Sequence, residues 1–353
     1  MRKILIINIF GIGDVLFTTP LIRNIKKEYP DCSIGYVCNL RALPVLAGND
    51  KLDKIFVYER DDYRRLYDVS KIQFFKKFKK TLEDIKKEKY DVCIDLSLNP
   101  YASFFMWLIG IPKRIGFNYK NRSPFLNKKV PLGGYEDKHI IEYYLDILDK
   151  LGTVASFKEM ELPLKEVDFK FAENNLPDHQ SDRNPLVAIM PGGGASWGKD
   201  APYKRWPPEK YAKLADKLVE KYHAVIILLG DKNEEKLCSE VLKSMQKKAL
   251  SFCGQTTVGQ LGALLSKCRL AIVNDGGPLH IATAVGIRTV SIFGPVDEKV
   301  YGPYPQEGHF VVTHDVSCRP CYRNFRRASC DHMSCLNHIE VDDVLTRVQR
   351  ILK

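Results

Sequence analysis

No part of this 353-residue sequence is apolar over the roughly 18 consecutive residues that a membrane-spanning helix needs. No uninterrupted apolar run, residues 104–109 included, is longer than six residues, so the sequence predicts no transmembrane segment. An export signal is also missing, because the apolar start at residues 4–7 is followed by Asn8 and Asp14 and by no small-x-small cleavage site. The start of the chain is therefore predicted to be a buried first strand.

A complete dinucleotide fingerprint is also absent, because Gly11-Ile12-Gly13 lacks the third glycine of Gly-x-Gly-x-x-Gly. With 45% hydrophobic and 27% charged residues, the composition excludes disordered and collagen-like classes. Ten cysteines without an export signal indicate a reducing cytosol. Six of them are interpreted as free, mostly buried thiols: Cys32, Cys38, Cys93, Cys238, Cys253 and Cys268.

The charge of the chain is unevenly distributed. Lys and Arg number 54 against 43 Asp and Glu, and residues 1–150 hold 27 basic and 19 acidic residues. A basic first half indicates an anionic partner, which charge alone leaves open between a nucleic acid, a phosphorylated glycolipid and a membrane surface.

Apolar runs alternate with helical periodicity twice along the chain, which predicts an α/β protein with two successive Rossmann-like domains. We expect an N-terminal domain over residues 1–165, a linker over 166–185, a C-terminal domain over 186–338, and a last helix over 339–353 that packs back on the N-terminal domain. The linker is assigned because residues 152–185 lose periodicity and are rich in Pro, Asn, Asp and Glu.

One predicted helix carries many lysines. Ile72, Phe75, Phe78, Leu82 and Ile85 recur at steps of three and four, which predicts a core-facing stripe. Six lysines lie off this stripe, and they are either a solvated face or a surface that docks on an anionic membrane.

In the second half, four predicted strands end at glycine-rich or turn-forming segments. Parallel strands bring such loops to one edge of a sheet, where sheets of this kind bind ligands. The loops begin at Pro191, Gly230, Asn274 and Gly294.

Four motifs resemble, in their order along the chain, those of glycosyltransferase family 9, the lipopolysaccharide heptosyltransferases and their relatives. They are Gly13-Asp14-Val15-Leu16-Phe17-Thr18-Thr19-Pro20, Lys204-Arg205-Trp206-Pro207, Asp275-Gly276-Gly277-Pro278-Leu279-His280 and Phe293-Gly294-Pro295. The resemblance implies a GT-B fold, in which two Rossmann-like domains face an interdomain cleft. It also implies inverting sugar transfer from a nucleotide donor, commonly ADP-heptose, with no cofactor required.

Asp14 follows the first predicted strand and admits two roles. Its carboxylate can cap the following helix. The resemblance implies instead that it is the general base that accepts the proton of the acceptor hydroxyl. The residues alone leave both roles open.

The resemblance also implies a set of donor-binding residues. The chain contains no Asp-x-Asp pair, which favours side chains and helix ends over a metal for binding a diphosphate. Lys204 is expected to contact the phosphates, with Arg205 as a less certain second cation, and the amides of Gly276 and Gly277 and the His280 side chain are expected to add hydrogen bonds. The donor-site loops are expected to include Gly192, Gly193, Gly194, Ser196 and Asp275.

Two features depart from the family pattern. Family members often carry Ser or Thr where this chain has Gly276, and Ser196 is the only Ser or Thr in the long loop 192–203.

Glu234 matches the ribose-binding carboxylate, with Glu235 as a competitor, although a first-turn glutamate is also stabilised by the helix dipole alone.

A cysteine cluster lies near the end of the chain. Cys318-Arg319-Pro320-Cys321 is followed by Cys330 and Cys335. One Cys-x-x-Cys pair is typical of structural zinc, but the second spacing is looser, so zinc, reduced packed thiols and a disulfide all remain open.

We therefore predict a metal-independent inverting glycosyltransferase that moves heptose or a related sugar to a lipopolysaccharide core or a similar phosphorylated glycolipid. The expected location is cytoplasmic, with peripheral contact at the inner membrane and no nucleic-acid partner. Two alternatives are a GT-B transferase or epimerase that uses another nucleotide sugar for surface polysaccharide, and a zinc-containing nucleic-acid-binding protein. The second leaves the glycine-ended strands unexplained.

Overall fold

The computed structural model describes residues 2–177, 183–194, 197–323 and 325–353. The chain divides into two compact units, Met1–Tyr135 with Ile140–Glu159, and Glu136–His139 with Met160–Lys353. The division after residue 159 lies close to the end of the predicted N-terminal domain at residue 165.

The described residues of the first unit form a parallel sheet in the order β3-β2-β1-β4-β5-β6. Its strands β1 to β6 are Lys3–Ile7, Ser33–Cys38, Lys54–Val57, Val92–Asp95, Lys113–Tyr119 and Lys128–Leu132. Its helices α1 to α7 are Ile12–Leu16, Thr19–Glu28, Leu43–Leu46, Arg60–Val69, Lys71–Lys87, Pro100–Leu108 and Ile140–Leu145, followed by a short 3-10 helix, Asp146–Lys150. Ile4, Leu5 and Ile6 of β1 are fully buried, as expected for a central strand covered on both faces.

The lysine-rich helix α5 corrects one sequence prediction. Ile85 is buried, but Ile72 is 70% exposed and Phe75 is 61% exposed, so the predicted core-facing stripe is wrong at its first two positions. Phe74 is instead packed against α4: its ring contacts Tyr67, with 5.3 Å between ring centroids. Helix α4 therefore sets which face of α5 is covered.

The second unit repeats the strand order of the first. Its described residues form a parallel sheet in the order β12-β11-β10-β7-β8-β9, and a separate antiparallel pair, β13 with β14. Strands β7 to β14 are Leu186–Met190, Val225–Leu228, Leu250–Ser251, Leu270–Asn274, Thr289–Ile292, Phe310–Val312, Tyr322–Arg323 and Arg326–Arg327. Helices α8 to α15 are Glu166–Asn175, Pro208–Tyr222, Glu235–Ser244, Val258–Ser266, Gly277–Ala284, Glu298–Tyr301, Ser334–Asn337 and Val341–Leu352, with 3-10 helices at Gly198–Lys204 and Lys232–Glu234.

The predicted linker over residues 166–185 begins with helix α8. Asp168 starts the helix by accepting a hydrogen bond from Lys165 N at 3.0 Å. The helix packs closely on α11, since a Cβ added at Gly259 would lie 2.5 Å from the Asp168 carboxylate. Residues 166–175 of the expected linker therefore form a helix that belongs to the second unit.

The last helix, α15, contributes to the core of the second unit. Val344, Val348 and Ile351 lie in the core of the second unit, together with Trp206. Trp206 Nε1 donates to Ile339 O at 3.0 Å, which ties the segment before α15 to the same core. The apolar stripe of the helix is thus buried within the second unit, and the predicted packing of the helix on the N-terminal domain stays a prediction.

None of the helices in the described parts of the chain combines the length and the apolar character that crossing a bilayer requires. In each sheet the strand order reverses at the centre, between β1 and β4 in the first and between β7 and β10 in the second. Such a switch point is where sheets of this class bind ligands, and it places the loops that follow these strands at the candidate sites.

Candidate functional site

The loop after β7 lies against the start of α12 in the second unit. Gly193 and Gly194 have φ of +83° and +82°, a region that glycine adopts without steric cost. A Cβ at Gly193 would lie 3.0 Å from Asp275 O, and one at Gly194 would lie 3.3 Å from Pro278 Cδ. The two loops of the switch point are therefore in close backbone contact, which only small residues permit.

Gly276 is the residue that brings these loops together. Its φ is +149°, and a Cβ there would lie 1.8 Å from Gly193 O. It is also the N-cap of α12, which carries Pro278 in its first turn. The departure from the family's Ser or Thr at this position thus has a local physical reason: the backbone at residue 276 has no room for a side chain.

We expect Gly276→Ala to destabilise the protein by more than Gly286→Ala. Gly286 also has a left-handed φ of +77°, but a Cβ there would meet nothing within 4 Å. Both substitutions introduce strain of about 1 kcal/mol or more, whereas only the first adds a clash with Gly193 O. Thermal unfolding of the two variants checks this, and equal losses would show that the close approach costs nothing.

Lys204 and Asp275 form a buried ion pair at the same place. Lys204 Nζ lies 2.6 Å from Asp275 Oδ2, and both residues are less than one-tenth exposed. The ammonium also lies 4.5 Å from the centroid of the Trp197 ring. The structure therefore brings Lys204 to the loop that carries Asp275, Gly276 and Gly277.

His280 lies in the first turn of α12 and is buried. Burial, the neighbouring His139 and then Lys204 hold the pKa of His280 well below its usual value. The imidazole is therefore neutral at pH 7, with one ring nitrogen as donor and the other as acceptor. His139, which sequence reasoning did not identify, hydrogen-bonds Gly302 O through Nε2 at 3.1 Å and stacks on Tyr304.

Glu234 lies beneath the glycine loop and is buried. One carboxylate oxygen accepts from Gly194 N at 2.9 Å and the other accepts from Asp231 N at 3.0 Å. Burial is the main cause that raises the pKa of Glu234, and the two amide hydrogen bonds oppose it. These contacts fix the two loops to each other, and the predicted contact of Glu234 with a ribose stays a prediction.

Arg205, the less certain second cation, is engaged with the same loop. Its Nε donates to Gly192 O at 3.0 Å, and its Nη2 lies 3.9 Å from Glu234 Oε1. Its contacts therefore support the shape of the loop.

Asn274 was not identified from the sequence as a site residue, although it holds the site together. Its Nδ2 donates to Pro191 O at 2.6 Å, and its Oδ1 accepts from Trp206 N at 3.1 Å. This fully buried amide thus joins the end of β10, the glycine loop and the Lys204 motif. The available signal was a polar residue that ends a completely apolar strand.

Asp14 lies at the switch point of the first sheet. Its Oδ2 accepts from Gly11 N at 3.1 Å, which confirms the capping role, and Asn8 Nδ2 donates to Asp14 O at 3.0 Å. The residue is half-buried. Burial is the main cause that raises the pKa of Tyr135, and the negative charge of Asp14 adds to it.

Ser196 lies outside the described residues. The residues that follow it are covered by the β13–β14 pair: Trp197 contacts Tyr322 with 4.9 Å between ring centroids, and Arg327 lies 3.6 Å from the Tyr203 ring. This short pair is attached to the end of β11, because Tyr322 N donates to Pro295 O at 3.0 Å. The cysteine-rich segment thereby forms one wall around Lys204.

The four cysteines of this segment are free thiols. Burial raises the pKa of Cys335 to about 11, and the negative charge of Cys321, Cys330 and Cys318 adds to the rise. No group of three or more His, Cys, Asp or Glu in the described residues is arranged to hold a metal ion. Structural zinc at these cysteines stays a prediction from their spacing.

The sequence model of Glycosyltransferase family 9 (heptosyltransferase) matches residues 77–331 of this chain. The chain belongs to glycosyltransferase family 9. The matched range contains every predicted donor-site residue, whereas Asp14 precedes it. As a member of family 9 the protein is a glycosyltransferase, which confirms the predicted class of enzyme.

Individual relatives of this family 9 protein cover nearly the whole chain. Lipooligosaccharide heptosyltransferase 2 of Campylobacter jejuni is 26% identical over 349 residues, which are 97% of this chain and 96% of the relative. Lipopolysaccharide heptosyltransferase 3 of Escherichia coli is 26% identical over 299 residues, 83% of each chain.

Two solved structures show the same fold. The family 9 glycosyl transferase from Veillonella parvula has a TM-score of 0.80 at 23% identity and covers 99% of this chain and 97% of its own. The Escherichia coli ADP-heptose lps heptosyltransferase II has a TM-score of 0.76 at 20% identity and covers 99% of this chain and 98% of its own. The predicted GT-B fold, with two parallel-sheet α/β domains, is confirmed.

Proposed function

We propose that this family 9 glycosyltransferase moves heptose from ADP-heptose to a lipopolysaccharide core or a similar phosphorylated glycolipid. The observation that carries the proposal is the buried Lys204 held at the glycine-capped start of α12, in a chain whose relatives are named as heptosyltransferases. We place the reaction at the cytoplasmic face of the inner membrane.

The second unit is proposed to bind the donor diphosphate. The start of an eight-residue helix directs unpaired amide groups and the positive end of its dipole toward an anion, and here Gly276 and Gly277 supply the amides. Lys204 supplies the cation, and the neutral His280 supplies a hydrogen bond. Together these groups would neutralise the charge that develops on the leaving diphosphate.

The geometry also indicates why Lys204 is suited to this task. In the protein without donor, Asp275 balances the lysine charge at 2.6 Å, so the ammonium is held in place while it is buried. A diphosphate that approached the start of α12 would meet a positioned cation, and little side-chain entropy would remain to be lost on binding. Asp275 is thus proposed as the residue that positions Lys204.

Asp14 is proposed as the general base. A single direct displacement by the acceptor oxygen needs a group that takes the hydroxyl proton, and a half-buried carboxylate can do so. The hydrogen bond from Gly11 N fixes one oxygen of the carboxylate, which orients the group. The basic first half of the chain is proposed to receive the anionic acceptor.

The decisive experiment is calorimetric binding of ADP, GDP and UDP, followed by transfer assays with ADP-heptose and truncated lipopolysaccharide cores. We expect ADP to bind at least about tenfold more tightly than GDP or UDP. We also expect a product whose mass increases by one heptose and that requires the acceptor. Tighter binding of UDP or GDP would assign another donor.

Product analysis without the acceptor distinguishes the proposed transferase from a sugar-nucleotide epimerase or hydrolase. A sugar-nucleotide epimerase or hydrolase would change the donor whether or not a glycolipid is present. A transferase consumes the donor rapidly only when the acceptor is added.

A further inference from the structure

Helices α4 to α6 carry a group of exposed apolar side chains that the donor and base sites do not use. We call this group the aromatic ridge. Its exposed members lie at the end of α4, at the start of α5 and along α6: Tyr67, Val69, Ile72, Phe75, Tyr101, Trp107 and Leu108.

The ridge is continuous because aromatic rings connect the three helices. Phe74 contacts Tyr67 at 5.3 Å and stacks on Phe78 at 5.9 Å. Phe78 in turn contacts Phe105 of α6 at 4.6 Å. Phe104 then joins Phe105 to Trp107, at centroid distances of 5.1 and 6.0 Å. A continuous chain of aromatic contacts therefore runs from Tyr67 of α4 to Trp107 of α6.

Lysines accompany the apolar side chains on the same face of α5. Ile72, Phe75, Lys76 and Lys79 are spaced by three, one and three residues, which puts them on one face of a helix, and all four are exposed. Between residues 70 and 82 there are five lysines and no acidic residue. The face thus combines apolar side chains with a strong positive charge.

We propose that the aromatic ridge and the lysines of α5 dock this enzyme on an anionic lipid bilayer. Exposed apolar side chains can enter the headgroup boundary while lysines contact the anionic headgroups. Trp107 and Tyr101 are of the residue types that favour this boundary. The positive charge favours an anionic bilayer over a second copy of the chain as the partner of this face, because two copies would place their lysines against each other.

This proposal deepens the proposed function, because a bilayer is where a glycolipid acceptor would be met. It also explains why Ile72 and Phe75 are exposed although their spacing predicts a core stripe. Vesicle binding is measured without donor and ADP binding without vesicles, so the two proposals can fail independently.

The test is co-sedimentation of the full chain with vesicles of phosphatidylcholine alone and of phosphatidylcholine with phosphatidylglycerol. We expect binding only to the anionic vesicles, and release at about 0.5 M salt, where charges are strongly screened. Lys76→Glu/Lys79→Glu and Ile72→Ser/Phe75→Ser should each weaken binding at least about tenfold. All four positions are exposed, and thermal unfolding verifies that the variants fold.

The matched control is Lys213→Glu/Lys243→Glu, which makes the same change of charge at exposed positions of α9 and α10. It should bind anionic vesicles as the unmodified protein does. The proposal is overturned if the chain does not prefer anionic vesicles, or if the control loses as much binding as the α5 variants. It is also overturned if sedimentation velocity shows a dimer that Ile72→Ser/Phe75→Ser dissociates, because the ridge would then belong to a second copy.

Discussion

Asp14→Asn is expected to slow heptose transfer by about 10²- to 10⁴-fold while ADP affinity stays unchanged, because the variant loses a base and keeps its shape. The Asn side-chain oxygen can still accept the hydrogen bond that Gly11 N gives to Asp14 at 3.1 Å. The start of α1 is therefore preserved. Steady-state transfer rates and calorimetric ADP binding, measured on the same preparation, test the two halves of this prediction.

The control for Asp14→Asn is Asp343→Asn. Asp343 caps α15 in the same manner, by accepting from Glu340 N at 2.8 Å, but its side chain is exposed. It should leave the transfer rate within about twofold, since loss of charge at a cap alone costs little. A transfer rate for Asp14→Asn close to that of this control would leave Asp14 with capping as its only role.

Lys204→Met is expected to have the second large effect, a loss of ADP affinity of roughly 30-fold or more, since truncating one member of a buried charge pair costs about 2 kcal/mol or more. The same change leaves Asp275 buried without the cation that lies 2.6 Å away. It should therefore also lower the free energy of unfolding by about 3 kcal/mol or more. Urea unfolding and ADP calorimetry measure the two effects separately.

The double variant Lys204→Met/Asp275→Asn separates binding from stability. It removes the uncompensated carboxylate, so much of the stability should return while ADP affinity stays low. Lys217→Met is the control, since Lys217 pairs with Asp342 at the surface at 2.6 Å and such pairs contribute little. ADP binding by the double variant at the level of the unmodified protein would mean that Lys204 serves only to balance Asp275.

The sequence predicted those features that depend on neighbours along the chain. Apolar runs located β1, β7 and β10 to within about two residues, as is typical for strands covered on both faces. Glycines after these strands located the loops. The same local reasoning identified the capping role of Asp14.

Features set by distant packing could not be predicted in this way. The spacing of Ile72 and Phe75 is that of a buried stripe, but α4 covers a neighbouring face of α5, where Phe74 contacts Tyr67. Helix α8 was missed because a composition rich in polar residues concealed an element that packs on Gly259 of α11.

The role of Asn274 was also beyond local reasoning, because its amide joins residues that lie 83 and 68 positions away along the chain. A buried polar side chain at the end of an apolar strand indicates that a hydrogen-bond partner exists, but the sequence does not identify that partner.

The position of β1 within its sheet has a consequence for synthesis on the ribosome. This strand leaves the ribosome before the other strands of its sheet, yet it is central: Ile4 pairs with Ile34 on one side and with Val92 on the other. One edge of this apolar strand therefore has no partner strand until β4 has been synthesised. In the same way, one edge of β7 stays unpaired until β10 has been synthesised. Open strand edges invite wrong pairing. Nascent chains halted before residue 92 should accordingly depend on chaperones more than the finished protein does.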